Sequence, residues 1–454
     1  MNKKELSAFA FLSVPLAMGG LPLGLYLTPY YATELGISLA TIGVILMLTR
    51  ITDVVTDPLI GALSDRTPEK YGRRGVWIAL GTPIMAISTI AVFDPFVDSP
   101  GPLYLFFAVA FLYLGWTLIG IPLSAWVAEI SDNYHERTKI TGVRTWGGIV
   151  GSILAITAPL LVLFLASQGF AQFESEKEGS LQPMLKMIAW GSALFLIIGV
   201  IFLLKTVRQP VFKVETKMDF VVGLKLAISN RAFLRLLASN VLAAIGWNSI
   251  STLFIFFVTF YLLADASQWP LILMTYLLGQ FLGTPVIIAI APRFNKHRML
   301  AVCSLIAISG SSLIMLFEPG DVVFYMILNF FLGILAPANA ILAPSMAADV
   351  IDQDTLESGE QRGALFMSLW GMGDKFAVAA AAGITLPLVQ FLGFNPLIEN
   401  DLAGLKVLHY AYIFVPIGFF LTSVAFIWNF PITRERHAEI QQKLTVRGLL
   451  AKGA

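Results

Sequence analysis

Charge is what this sequence has least of. Asp, Glu, Lys and Arg make up 13% of its 454 residues, and 57% are hydrophobic. A water-soluble domain carries about a quarter charged residues, so this chain has roughly half the charge needed to cover a surface in water. Lipid has to be a large part of its solvent. The charges present are balanced, 30 Lys and Arg against 29 Asp and Glu. That leaves no basic excess for nucleic acid. Cysteine is nearly missing. Cys303 stands alone in an apolar run, and one thiol builds neither a disulfide framework nor a zinc site. It reads as a small packing residue. His135, His297, His409 and His437 are scattered in or near loops, without metal-ligand spacing. No GxxxxGK[ST] loop, no HExxH and no GxSxG in a usable context is found. The residues give no support to ATP-driven transport by this chain alone, to an enzyme, or to a bound cofactor.

What is present is a series of long apolar runs. A span needs about 20 mainly apolar residues. Twelve stretches qualify: 8–33, 38–63, 76–96, 102–130, 140–168, 185–205, 232–264, 268–291, 299–317, 322–348, 363–393 and 405–430. Met1-Asn2-Lys3-Lys4 precedes the first, which has no small-residue cleavage site and reads as a retained span rather than a signal peptide. Gly and Pro inside several spans are tolerated where neighbouring helices re-satisfy the backbone.

Lys and Arg in short loops set the orientation. Lys3/Lys4, Arg66/Lys70/Arg73/Arg74, Arg137/Lys139, Lys205 to Arg231 and Arg293/Lys296/Arg298 fall on one side, with Arg434, Arg436, Lys443 and Arg447 in the tail. The other loops are poor in positive charge. Both termini are expected in the cytoplasm. The tail after Pro431 reads either as a short amphipathic helix on the membrane surface or as a solvated tail.

The spans repeat. TDPLIGALSDR in span 2 has Pro58 and Arg66, and GTPVIIAIAPR in span 8 has Pro285 and Arg293; both pairs are 227 positions apart. Glu129 and Asp132 at the exit of span 4 correspond to Asp349 and Asp352 at the exit of span 10, and Trp146-Gly147 to Trp370-Gly371. This predicts an all-α polytopic protein of two pseudo-symmetric six-helix bundles, 1–205 and 231–430, with a cytoplasmic linker 206–230 and a tail 431–454. A midplane site between parallel repeats is the transporter plan.

Ionisable groups inside spans are costly and default to function. Arg50, Asp53 and Asp57 in span 2 lie at i, i+3 and i+7, on one helical face. Two carboxylates one turn apart cannot both stay ionised cheaply, so one binds a cation or holds a proton. Thr56, and Thr117 from span 4, could add neutral oxygens. The competing reading is a packing clamp in which Arg50 neutralises one acid. Pro58 frees backbone groups beside Asp57. Lys375 is a second deep charge, in SLWGMGDKFAVAAAAGITL. It pairs with the span 2 carboxylates or a substrate group, or else snorkels to the cytoplasmic surface. Arg144 faces either the cavity or the cytoplasmic rim. Asp65, Arg66, Arg73 and Arg74 in the 64–75 loop read as a latch between bundles or as a solvated, orienting loop. Glu129/Asp132 and Asp349/Asp352 are placed to pair with Arg137, Arg362 or that loop. Tyr26, Tyr30, Trp116, Trp247 and Trp370 could stack on a ring or pack on an acyl chain, or serve as ordinary packing residues.

RITDVVTDPLIGALSDRTPEKYGRRGVW resembles the signature of the glycoside–pentoside–hexuronide:cation symporters, the melibiose permease group, and the likeness extends to AEISDNYHERTKITGVR and ADVIDQDTLESGEQRGALFMSLWGMGDKFA. The resemblance implies the major facilitator fold and symport driven by Na+ or H+. It assigns the cation carboxylates to Asp53 and Asp57, the helix IV threonine to Thr117, the helix V arginine to Arg144 and the helix XI lysine to Lys375; Arg50 also matches. Departures accompany it. No acid precedes Glu34 in span 1, Gly120 stands where the sugar permeases carry an aspartate, Ser124 where they carry a tryptophan, and Thr56 replaces an asparagine. IPLSAW instead resembles a segment of animal lysolipid transporters.

The sequence therefore predicts a monomeric, multi-pass transporter of a bacterial inner membrane. It couples a cation to a small organic solute, a sugar or related compound, by rocking of the two bundles. Asp53, Asp57, Thr56 and Thr117 are expected to hold the cation, with Lys375, Arg144, Arg50, Trp370, Gly120 and Tyr26 for substrate and coupling. The rivals are a lysolipid transporter or lipid flippase on the same fold, and a non-transporting sensor on a transporter scaffold.

Overall fold

The computed structural model describes residues 3–68, 70, 72–130, 134–169, 180–208, 229–359, 363–398 and 400–446, leaving aside the side chains of residues 54, 55, 128, 129, 134–138, 141 and 364. Among these, twelve helices are long and apolar enough to cross a membrane. They are α1 Lys3–Leu25, α2 Leu39–Arg66, α3 Gly75–Phe93, α4 Pro102–Val127, α5 Gly142–Ser167, α6 Gln182–Thr206, α7 Arg231–Tyr261, α8 Trp269–Arg293, α9 Lys296–Leu316, α10 Val322–Ser358, α11 Leu365–Phe391 and α12 Leu402–Ile427. A shorter helix, α13 Arg434–Val446, follows. The expected linker 206–230 lies mostly outside the described residues.

Polar residues define the helix ends. Ser38 opens α2 by accepting from the Thr41 N–H at 3.2 Å. Asn230 does the same for Phe233 at 3.0 Å, and Asp401 for Gly404 at 2.8 Å. Each supplies an acceptor to a backbone donor that has no partner inside its own helix. Gly359 closes α10 with φ 75°, a left-handed position where glycine carries no Cβ penalty.

Two expected spans change length. The first, read as 8–33, begins at Lys3 and continues past Leu25 through a short turn, Leu27–Pro29, and a wider π turn, Tyr30–Glu34. Pro29 lacks the N–H that would carry a regular ladder through this point. The tenth, read as 322–348, runs on to Ser358. Its last turns hold Asp349, Asp352 and Asp354, so an apolar criterion stops where the helix leaves lipid.

The packing repeats. Helix α1 packs on α5 and α6, and α7 packs on α11 and α12; α2 packs on α4, and α8 on α10. Each first helix thus meets the fifth and sixth of its set, as two pseudo-symmetric bundles require. Glycines let the backbones close. A Cβ at Gly147 of α5 would strike the Ala10 carbonyl of α1, and one at Gly279 of α8 the Phe330 carbonyl of α10. With no hydrophobic drive between helices in lipid, such close packing supplies much of the association.

The two sets meet chiefly where α2 packs on α11. A Cβ at Gly43 would come within 2.7 Å of the Ala382 carbonyl, and the Ala40 N–H donates to Gln390 Oε1 at 2.6 Å. Both contacts join the beginning of α2 to the end of α11, on the face away from the termini.

The tail is a helix docked on protein. Ile440 and Leu444 of α13 are buried, one turn apart on the face that meets α10. Inserting a methyl into a closed helix contact costs about 1–3 kcal/mol. Gly147→Ala and Gly279→Ala should each lower the melting temperature of the purified protein by several degrees. Gly371→Ala, whose Cβ would meet nothing within 4 Å, should leave it unchanged in the same thermal-unfolding assay.

Candidate functional site

The span 2 charges do gather on one face, and α11 completes them. Arg50 Nη1 donates to Asp53 Oδ2 at 3.3 Å, while its guanidinium lies 3.8 Å from the centre of the Tyr113 ring on α4. A cation over an aromatic face is held by the ring quadrupole, more strongly when desolvated. Lys375 Nζ donates to Asp57 Oδ2 and stands 3.8 Å from Asp53 Oδ2. Thr117 Oγ1 of α4 donates to the other Asp57 oxygen at 3.0 Å. Two carboxylates and two cations thus neutralise one another, and Lys375 supplies the charge that Arg50 alone could not. Its ammonium is inside the protein and does not snorkel to the surface. The Asp53 side chain is 3% exposed and that of Asp57 20%, so only Asp57 opens onto the space beside it.

That space is a cavity of about 720 Å³ between α1, α2, α4, α5 and α11. Asp57, Lys375 and Arg144 are the charged groups on its wall, and Thr117, Ser13, Ser124 and Ser152 bring hydroxyls. The rest is apolar, chiefly Leu16, Leu21, Trp116 and Ile121. Gly120 lines it too, where a side chain would begin to fill the space. Of the expected aromatics, Trp116 is on the wall. The outer edge of its indole reaches α1 at Gly20, where a Cβ would come within 2.7 Å of the ring. Ser13, Gly20 and Ser152 carry no chemical signal in sequence; only the fold shows that they face the cavity.

Several expected members are elsewhere. Tyr26 is fully buried in the apolar core, and its hydroxyl has no hydrogen-bond partner. Trp370 is buried in a second core cluster with Phe233, Phe366 and Val424. Thr56 Oγ1 is buried and makes no hydrogen bond. Adjacent helix positions are turned about 100° apart, so Thr56 is turned away from the face that carries Asp57.

At the ends of α2 and α10 the described ion pairs stay within each bundle. Arg74 donates to Asp65 at 2.7 Å and Arg73 lies 3.4 Å from it, while Arg74 also donates to Ser64 Oγ at 2.6 Å. These contacts fasten the end of α2 to the start of α3; Arg66 is exposed. Asp349 accepts two bonds from Lys296 at 2.7 Å and lies 3.4 Å from His437 of α13. Asp352 accepts from Gln441 at 2.6 Å and lies 3.0 Å from His437 Nε2. The partners expected for these acids, Arg137 and Arg362, and the side chains of Glu129 and Asp132, lie outside the described residues.

Twelve spans enclosing a largely apolar cavity that carries a charge cluster on its wall define a multi-pass membrane transporter rather than an enzyme. Comparison with known proteins agrees. Residues 8–434 match the MFS/sugar transport protein family, and the chain belongs to it. An uncharacterized symporter of Synechocystis sp. is 25% identical, covering 93% of each chain. The sodium-dependent lysophosphatidylcholine symporter 1 of Gallus gallus is 26% identical over 96% of this chain and 88% of its own. Among solved structures, an inward-facing bacterial homolog of the human lysosomal transporter Spinster superposes with a TM-score of 0.67, at 14% identity and complete coverage of both chains.

The cluster should behave as one energetic unit. Removing one member of a buried pair strands the other charge. Asp57→Asn and Lys375→Ala should therefore each destabilise the protein. The double variant should recover about 1–3 kcal/mol of the summed loss in a double-mutant cycle; strict additivity would show that the pair is not coupled.

Proposed function

We propose that the chain is a symporter in which Na+ or H+ binds at Asp53 and Asp57 and drives uptake of a small organic solute, a sugar or related compound, through the cavity. The observation that carries this reading is the contact of Lys375 with Asp57. It joins helix α11 of one bundle to α2 of the other, at the cavity wall. A cation arriving at Asp57 takes over the role of the ammonium, and a proton removes the charge that holds it. Either way Lys375 is released toward the cavity. Substrate and cation then bind cooperatively, and linkage requires each to tighten the other by the same factor.

The known relatives support symport, since they carry that word in their names. The family description supports a sugar. The apolar wall of Leu16, Leu21, Trp116 and Ile121 favours a second reading, an amphipathic substrate such as a lysolipid, moved by the same cation chemistry. On the first reading Asp53, Asp57 and Thr117 hold the cation and Arg144 and Lys375 meet the substrate. The Asp65–Arg74 and Asp349–Lys296 pairs brace the cytoplasmic ends as the bundles rock. The unit that moves is a monomer.

Proteoliposomes test the proposal. An imposed sodium or proton gradient should drive accumulation of a glycoside, a sugar acid or a lysolipid. Asp57→Asn should reduce gradient-driven accumulation at least about tenfold while the protein stays folded. Undiminished accumulation in that variant would contradict the proposal.

A further inference from the structure

The charges of the cavity do not balance once they are counted in place. Asp53 and Asp57 are matched by Arg50 and Lys375. Arg144 also lines the cavity, and no acid among the described residues pairs with it. The other acid nearby, Asp374, is not part of the cavity wall and accepts from Asn240 Nδ2 of α7 at 2.7 Å. The wall therefore carries one cationic charge in excess. A bound coupling cation raises that excess by one more. A guanidinium stays protonated in proteins, so Arg144 cannot shed its charge as a buried lysine can. An unpaired charge in a membrane span is expensive, and its five donors form a planar fork suited to an oxyanion.

Resting on the symport reading above, we infer that the substrate brings the missing counter-charge. It carries one anionic head, a carboxylate or a phosphate ester, that seats on Arg144. The remainder of the molecule lies along Trp116, Leu16 and Ile121, where a sugar ring can stack on the indole or an alkyl chain can pack. Lys375, once released by the coupling cation, is the second donor available to the same head. An anionic substrate that enters with a monovalent cation offsets the charge the cation adds, so the occupied cavity carries no more excess charge than the empty one, and the head sits on the one cation without a protein counter-ion.

Two matched pairs of probes test this on nanodisc-embedded full-length protein by calorimetric titration. Methyl glucuronide is compared with methyl glucoside, and a lysophosphatidate with the corresponding monoacylglycerol. The first pair reports a sugar acid, the second a lipid head. In at least one pair the acid should bind at least tenfold more tightly than its neutral partner. Arg144→Gln should erase that preference, with a loss for the acid of roughly 10- to 100-fold, as for a charged hydrogen bond. Arg144→Lys should keep part of it. Equal binding of acid and neutral members in both pairs, an Arg144→Gln variant that weakens both members alike, or no binding of either acid would overturn the inference. Wild-type discrimination alone decides the matter if the variants fail to fold. Cation-dependent binding without preference for the acid would overturn the inference and leave symport standing. Acid binding indifferent to sodium, pH and Asp57→Asn would do the reverse.

Discussion

The ammonium of Lys375 sits between carboxylates of another bundle, and the rest of the site is arranged around that contact. Asp53 is nearly sealed from the cavity and is already engaged by Arg50. Asp57 is the more open of the two and takes Lys375 on one oxygen and Thr117 on the other. Charges that deep are held only because each is paired, since a lone one would cost several kcal/mol. The pairing is also what makes the site responsive. On the proposed reading a cation that reaches Asp57 competes with an ammonium anchored on α11, so its binding changes a bond between the two bundles.

The frame supports that exchange. Contacts between the beginning of α2 and the end of α11 hold the face away from the termini tightly, with Gly43 and Gly383 admitting close approach. The cavity lies toward the other half of the same helices, bounded by α1, α4 and α5. On the side of the termini each bundle is fastened internally, by Asp65 with Arg73 and Arg74 in one and by Asp349 with Lys296 in the other. The docked α13 adds His437 and Gln441 to the second set. Rigid bundles whose ends are braced from within can rock against one another as units.

The span count and the pseudo-symmetric architecture were legible in the sequence, because apolar length and repeated spacing report them directly. The charge cluster was legible in outline. Arg50, Asp53 and Asp57 share a face by helical arithmetic, and a lysine among alanines in span 11 demands a partner. What sequence could not supply was the rotation of each helix about its axis. Thr56 sits one position from Asp57 and is turned away from it; Trp370 and Tyr26 are core residues, while Trp116 is not. Repeat matching was no guide to surroundings either. Trp146 is 68% exposed, in a position to face lipid, whereas its counterpart Trp370 is 6% exposed. The tail is helical, but it lies neither on the membrane surface nor free in solvent as expected, because Ile440 and Leu444 find a protein surface on α10 to pack against.

The competition between lysine and cation can be measured as the cation concentration, or the pH, at which stabilisation of the purified protein is half complete, in wild type and in Lys375→Ala. A ligand that binds the native state stabilises it by mass action. If the ammonium occupies the site the cation needs, removing it should lower the half-saturating cation concentration about tenfold, roughly 1.4 kcal/mol. A midpoint that stays put, or moves the other way, would show that Lys375 and the coupling cation do not share Asp57.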